Sequence, residues 1–426
     1  MKKILFTIQW HNIDSTISNS ANTICDENII NELKKNPSFE IHTLSYAVDG
    51  YPLDDFKDGV YIHRFKRSWL WRQLINSRKR KTLHKLIYLI QRILMRVKQF
   101  LTIPIYPIYE PFHVMRFARH AYRLHKKENF DMVISVHFGT DSLYAGYYVK
   151  KKCPSIKYVA VCWDSIAGGN LVNYLPKQYA LVKKRKFERK INSLTDAMIV
   201  MDASKESHLN NPLAVEYFKK LIFLDVPYFC PISTSEKEET QIVGNPLKVM
   251  FSGNMVGRDP SYLFHLFEKY VTPVVFTFVC HDDFHQRLYQ LAKHLKNVSI
   301  RCISYMKHED LLKIQIENDI LINFGVKNPN AISGKIFDYM STGKAILSTT
   351  TIDNEACIKY LKKYPRGLVI DERHSIEYNK DILIDFIKKI GNVKTSFSII
   401  NNLFYTSKPI AYRTTLETII SKKNVK

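Results

Sequence analysis

Short apolar runs recur along the 426 residues. In the first half they fall at residues 4–8, 41–44, 60–65, 132–136, 158–162, 198–201 and 221–224. In the second half they fall at 249–251, 274–279, 298–303, 320–324, 345–347 and 368–370. They are near-continuously apolar, and helix-length amphipathic stretches separate them. A strand buried on both faces reads this way, whereas a strand with one wet face alternates. The pattern predicts a parallel sheet covered by helices, and it occurs twice. Residues 226–246, between the two sets, are polar, hold three prolines and lack either periodicity. They are read as an interdomain linker. The expected fold class is therefore α/β, with two tandem Rossmann-like doubly wound domains, 1–225 and 247–426, facing across a cleft. The last helix is expected to return to the first domain. In such folds ligands bind beyond the carboxyl ends of the strands.

Composition changes this picture in one respect. Apolar residues make up 46% and charged residues 24%, which excludes wholesale disorder. The net charge of +23 is concentrated. Residues 64–127 hold 17 basic residues and one acid, Glu110. On a helical projection of residues 81–101, Leu83, Leu86, Ile87, Ile90, Leu94, Val97 and Leu101 share one arc. Lys81, Lys85, Arg92 and Arg96 gather away from it, and Arg78, Lys79 and Arg80 lead in. This insert fits a helix lying on an anionic membrane surface, with Tyr106, Tyr109, Phe112, Trp69 and Trp71 at headgroup level. The competing reading is an ordinary helix with its apolar face packed on the first sheet. Nucleic acid is not expected, because no recognition motif accompanies the charge.

Seven cysteines without a C-x-x-C pair point to reduced thiols, not to a disulfide framework or a zinc site. The opening apolar stretch is too short for a signal peptide, and no window is long and apolar enough to span a bilayer. The expected location is cytoplasmic, peripheral on the inner face of the cell membrane. The paired acids in "YPLDDF" and "VCHDDF" are read as solvated turns.

The most informative stretch is "NDILINFGVKNPNAISGKIFDYMSTGKAILSTT", residues 318–350. It reads strand, loop, helix, strand, with Gly343 as a left-handed residue after the helix. Lys335 sits in the first helical turn, where the macrodipole disfavours a cation by roughly 0.3–1 kcal/mol. An anion at the same place would explain it. Asp338 lies three residues on, where a carboxylate could accept hydrogen bonds from a ribose diol. The plainer alternative is an exposed Lys–Asp pair on a solvated face. In the first domain, His137 follows the run 132–136 and Asp164 follows 158–162, so both end strands. Each could equally serve packing or capping. His11 and Asn12 follow the first strand in the same way, and no role is assigned to them.

"SGKIFDYMSTGKAIL" resembles the donor-helix motif of bacterial family-4-like glycosyltransferases of GT-B fold. "LKVMFSGNMVGRDPSYLFHLF" is similar to the family's second-domain opening. "FERKINSLTDAMIVMDASKESH" and "NVSIRCISYMKHEDLLKIQIENDILINF" match further stretches in order. The resemblance implies transfer of a sugar from a nucleotide diphosphate sugar, retaining and independent of metal or other cofactor. It implies a donor site of Ser252, Gly253, Arg258, Asn330, Gly334, Lys335, Ile336 and Asp338. Arg258 and Lys335 would stabilise the leaving diphosphate, and His137 would act beside them. Asp164 is the acceptor-side candidate. Together with the basic insert, the resemblance suggests a lipid-linked glycan acceptor, as in assembly of bacterial surface polysaccharide such as capsule. The chain departs from the pattern at Asn330, where many members carry an acid that contacts the donor sugar. Asp338 stands where Glu is usual, and "VCHDDFHQ" lacks the family's glycines. A non-catalytic GT-B subunit that scaffolds a membrane glycan-assembly complex is the alternative.

Overall fold

The structure is a computed structural model. It describes residues 1–8, 21–47, 50–67, 72–73, 77, 81–137, 139–169, 171–230, 241–270, 273–391, 393 and 395–422, with the backbone only at 21, 81 and 84. The chain forms two compact units, Met1–Asp225 with Pro409–Lys426, and Val226–Lys408.

The first unit is built on β1 (Lys2–Thr7), β2 (Phe39–Tyr46), β3 (Asp54–Lys57), β4 (Val60–Phe65), β5 (Met132–His137), β6 (Lys157–Cys162), β7 (Ala197–Met201) and β8 (Leu221–Leu224). Their order is β3-β4-β2-β1-β5-β6-β7-β8. Every pairing is parallel except β3 with β4. The second unit contains β9 (Leu247–Ser252), β10 (Val274–Val279), β11 (Val298–Ile303), β12 (Ile320–Phe324), β13 (Ala345–Thr350) and β14 (Gly367–Asp371). Their order is β11-β10-β9-β12-β13-β14, all parallel. This is the doubly wound Rossmann order, in which the winding reverses beside the first strand. The switch points therefore lie between β1 and β5 and between β9 and β12.

The continuous apolar runs become strands, those inside each sheet buried on both faces and the edge strands β8, β11 and β14 only in part. β12 and β13 are buried throughout, and Phe251, Phe264, Phe267, Phe276, Phe278 and Phe324 interlock beneath the second sheet. β3 corrects the reading of "YPLDDF" as a turn. It is an edge strand whose Asp54 accepts from His63 Nδ1 at 2.7 Å, while Asp55 lies 3.7 Å from the buried Arg64. Polar edge strands carry no continuous apolar signal, which is why the sequence reads as a turn.

The helix Pro409–Ser421 completes the first unit by packing on the helix Ala21–Lys34. Arg413 pairs with Glu32 at 2.9 Å, Asn36 donates to Glu417 at 2.8 Å, and the buried Tyr412 donates to the Asp225 carbonyl at 2.7 Å.

One helix breaks the rule that apolar faces are covered. Along the apolar arc of Lys81–Leu101, Leu86 is 56% exposed, Ile90 42%, Val97 49% and Leu101 68%. Its half-buried positions are Ile87, Gln91, Met95, Lys98 and Gln99, a flank that runs from the edge of the apolar face at Ile87 to the basic side at Gln99. The alternative of an apolar face packed on the first sheet is thus not what forms. Lys85, Arg92 and Arg96 are exposed. Arg78, Lys79, Arg80, Trp69 and Trp71, and the side chain of Lys81, lie outside the described residues. Among the described residues no helix is long and apolar enough to cross a membrane.

Candidate functional site

At the switch point of the second unit, β9 ends on Ser252 and turns at Gly253, whose φ is +128°. The buried Tyr339 holds that strand end in place. Its hydroxyl accepts the Ser252 N–H at 3.1 Å and lies 3.1 Å from Ser252 Oγ. Burial pushes the Tyr339 phenol up to about 12, so it stays neutral. Tyr339 sits one turn along from Lys335 in the helix Lys335–Ser341. The same helix therefore fixes the turn and delivers the lysine across it.

Lys335 crosses directly over Gly253. A Cβ at residue 253 would lie 2.3 Å from Lys335 Cε and 2.7 Å from Nζ. Glycine is thus needed there twice, for its φ and for the close approach. The Lys335 ammonium is 5.7 Å from the centre of the Phe251 ring and forms no hydrogen bond or ion pair with a described residue. Burial, then the neighbouring Arg258, pulls it down to about 8. Arg258 lies over the same ring at 5.6 Å and hydrogen-bonds the Asn254 carbonyl. Burial lowers its guanidinium as well. Two cations without a carboxylate thus converge beside one glycine turn. A half-buried cation left unpaired is costly, and an anion there would offset that cost.

Asp338 takes a different direction. It is 7% exposed, accepts from Gln315 Nε2 at 2.9 Å and lies 3.4 Å from His308 Nε2. Burial raises its carboxyl, against the pull of His308, Gln315 and Lys335. The exposed Lys–Asp pair is thereby excluded, since the two side chains make no ion pair and Asp338 is buried. The carboxylate is held from the helix His308–Glu317, whose Gln315 and His308 the sequence reading missed.

The helix N-terminus is less open than its sequence suggests. The Ile336 and Phe337 N–H groups donate to Ser333 and Gly334 carbonyls, each at 3.2 Å, in a tight first turn. The Ile336 side chain is fully buried in the core. Gly334 packs toward Tyr228 and Val226. The Asn330 N–H is satisfied by Asn328 Oδ1 at 3.0 Å. Gly343 has a φ of +70°, as a left-handed residue after the helix requires.

In the first unit, His137 ends β5 beside the switch point. Burial lowers its imidazolium, while the Asp164 carboxylate and backbone act in the opposite sense. Its Nδ1 is buried without a partner among the described residues. Asp164 is exposed, and Lys184 lies within its electrostatic reach. The loop carrying Asp164 is anchored by Glu188, a fully buried carboxylate the sequence did not single out. Glu188 accepts from the Ala167 N–H at 3.1 Å, from the Tyr217 hydroxyl at 2.5 Å, and faces His208 Nδ1 at 3.2 Å. His137 and Asp164 are thus brought together in one unit, and Lys335 and Arg258 in the other. His11 and Asn12 lie outside the described residues.

Comparison with known proteins defines the class of fold. No protein-family profile and no curated protein matches the chain. Solved structures do. A sucrose-phosphate synthase from Thermosynechococcus elongatus is similar with a TM-score of 0.63 and 10% identity, covering 98% of each chain. The lipopolysaccharide outer core galactosyltransferase WaaB is similar with a TM-score of 0.56 and 12% identity, covering 99% of each. A putative UDP-N-acetylglucosamine 2-epimerase from Listeria monocytogenes is similar with a TM-score of 0.54 and 11% identity, covering 99% of this chain and 96% of that one. The chain has the GT-B fold, with both Rossmann-like units included.

Proposed function

We propose that the protein is a glycosyltransferase that moves a sugar from a nucleotide diphosphate sugar to a hydroxyl of a lipid-linked glycan, in bacterial surface polysaccharide synthesis. The observation that carries this reading is the pair of unpaired cations, Lys335 and Arg258, at the glycine turn of the second switch point. In the reaction the bond between the anomeric carbon and the diphosphate oxygen breaks, and its electron pair leaves with the diphosphate. The acceptor oxygen bonds to the anomeric carbon, and its proton passes to the departing diphosphate. Charge grows on that diphosphate in the transition state, so preorganised cations there lower the barrier. Lys335 and Arg258 would take the part a metal ion plays elsewhere. His137 and Asp164, on the first unit, are the proposed sugar- and acceptor-side groups. A retaining outcome follows from the family resemblance alone.

The lipid-linked acceptor and the membrane location draw support from the helix Lys81–Leu101, which leaves its apolar arc uncovered beside a basic arc. An anionic bilayer satisfies both arcs at once.

A scaffolding subunit without catalysis is the second reading. Asn330 at the sugar-contacting position and an Asp338 already held by Gln315 and His308 favour it. One screen separates the two. The purified protein is titrated with UDP, GDP and a panel of their sugars by calorimetry, and hydrolysis or transfer is followed in parallel. The transferase reading expects one nucleotide class to bind and turn over, and Lys335→Ala with Arg258→Ala to abolish turnover in a folded protein. Turnover that survives both changes sinks the assignment, and no nucleotide binding at millimolar concentration supports the scaffold.

A further inference from the structure

A second concentration of positive charge lies at the opposite end of the first sheet from His137. The helix Lys177–Asn192 runs back from the carboxyl edge to the start of β7, so its last turn marks the amino edge. There a cavity of about 510 Å³ opens, and its charged lining is Lys186, Arg189, Lys190 and Lys220 against one acid, Glu216. Glu216 is committed to Arg189 at 3.0 Å.

The neutral groups of the lining are already spent. The Asn192 side chain donates to the Glu188 carbonyl at 3.1 Å and accepts from Thr195 Oγ1 at 3.1 Å. The Ser193 hydroxyl donates to the Lys190 carbonyl at 2.8 Å. The Tyr217 hydroxyl is held by Glu188 and Asn211. What remains to recognise a ligand is ammonium and guanidinium. A neutral ligand would meet donors alone, whereas an anion would meet several charged donors at once, which make the stronger bonds.

Lys186, Arg189 and Lys190 are exposed, and two of the four cations have defined places. Lys190 Nζ stands over the rings of Tyr144 and Tyr147, at 5.1 and 5.5 Å, and forms no ion pair with a described residue. Lys220 Nζ donates to the Asn192 carbonyl at 2.9 Å. Cations commonly gather at a helix C-terminus, and that dipole accounts for Lys220. It accounts equally for Arg189 and Lys190, which stand in the last turn, but not for Lys186 or for the cavity that the four surround. Burial lowers the Lys190 ammonium, and Lys151 adds to it; burial also lowers that of Lys220, where Asp196 opposes the shift and Lys150 adds to it.

We infer that this amino-edge cavity of the first unit is a second anion site, taking a phosphate- or diphosphate-bearing ligand held by Lys186, Arg189, Lys190 and Lys220. Its volume falls in the range of small-molecule sites, and multiple charge on the ligand matches multiple cations. The site lies on the other edge of the sheet from the proposed chemistry and does not depend on the donor reading. A free phosphorylated metabolite and a phospholipid headgroup share this chemistry.

The test uses the full chain carrying Arg258→Ala and Lys335→Ala, which removes the proposed donor site. Inorganic pyrophosphate is titrated by calorimetry at fixed ionic strength. One binding event is expected to remain, and adding Lys186→Gln and Lys190→Gln should weaken it roughly tenfold or more, since two charge-assisted contacts are lost. Circular dichroism checks that each variant is folded. No residual binding in the Arg258→Ala/Lys335→Ala protein, or binding indifferent to the two glutamines, overturns the inference. Phosphatidylglycerol vesicles then separate the sources: competition with pyrophosphate assigns a headgroup, and its absence assigns a free ligand.

Discussion

At the scale of the residue, Lys335 sets function against stability. A half-buried ammonium without a counter-charge disfavours the folded state. Its folded value near 8 lies below the ordinary 10.5. Below pH 8 both folded and unfolded chains carry the proton, and the full cost applies. Between about 8 and 10.5 the unfolded chain holds a proton that the folded one has released, so stability rises with pH across that window. Replacing Lys335 with Met is therefore expected to raise the melting temperature at pH 7 and to abolish nucleotide binding. The gain should shrink by pH 9.5. Thermal melts at the two pH values check this, and a variant less stable than wild type at pH 7 contradicts it. Lys335 was legible in the sequence because a cation in a first helical turn breaks a local rule. The surroundings of Asp338 were not, because its partners Gln315 and His308 come from another helix, Gln315 lying 23 residues away in the chain. Local periodicity places a residue on a helix face but says nothing of what is packed there.

At the scale of the element, the strands were the most readable. All thirteen apolar runs form strands; the inner ones are buried on both faces, whereas β11, at a sheet edge, exposes Ser299 and Arg301. β3 escaped because its residues Asp54, Asp55, Phe56 and Lys57 carry an edge, not a core. The helix Lys81–Leu101 was legible as amphipathic, but its sequence left open what its apolar arc meets. That arc points away from the fold. Replacing Leu86, Leu94 and Val97 with Ser should reduce cosedimentation with phosphatidylglycerol vesicles by about tenfold or more, because each buried aliphatic side chain contributes about 1.5–3 kcal/mol. The melting temperature should barely move, because the three side chains lie outside the core. Raising salt should weaken wild-type binding through the basic arc. A large loss of thermal stability would instead place the arc inside the fold.

At the scale of the whole molecule, the two switch points follow from two repeats of one pattern, and the sequence carried both. Each unit has its own hydrophobic core. Calorimetry is therefore expected to resolve two unfolding transitions. Tyr412 is fully buried in the first unit, beside Trp163 at 5.8 Å between ring centres. Changing it to Ala should lower one transition by about 3–5 kcal/mol of stability and leave the other in place. A uniform shift of both would mean that the units melt as one.

The placement of the helix Pro409–Ser421 in the first unit has a consequence for how the protein is made. The second unit, Val226–Lys408, is an interruption within the first. During synthesis the interrupting unit emerges whole and can fold as soon as residue 408 clears the ribosome, because domains fold as units. The earlier-made first unit must wait. Until residues 409–421 arrive, Glu32 lacks Arg413 and Asn36 lacks Glu417, and the side of the Ala21–Lys34 helix that receives them stays open. The half of the molecule synthesised first is thus the last to be finished, and it carries the amphipathic helix Lys81–Leu101 exposed throughout that wait. A chain stalled short of residue 409 would be an unfinished protein whose apolar helix is already out.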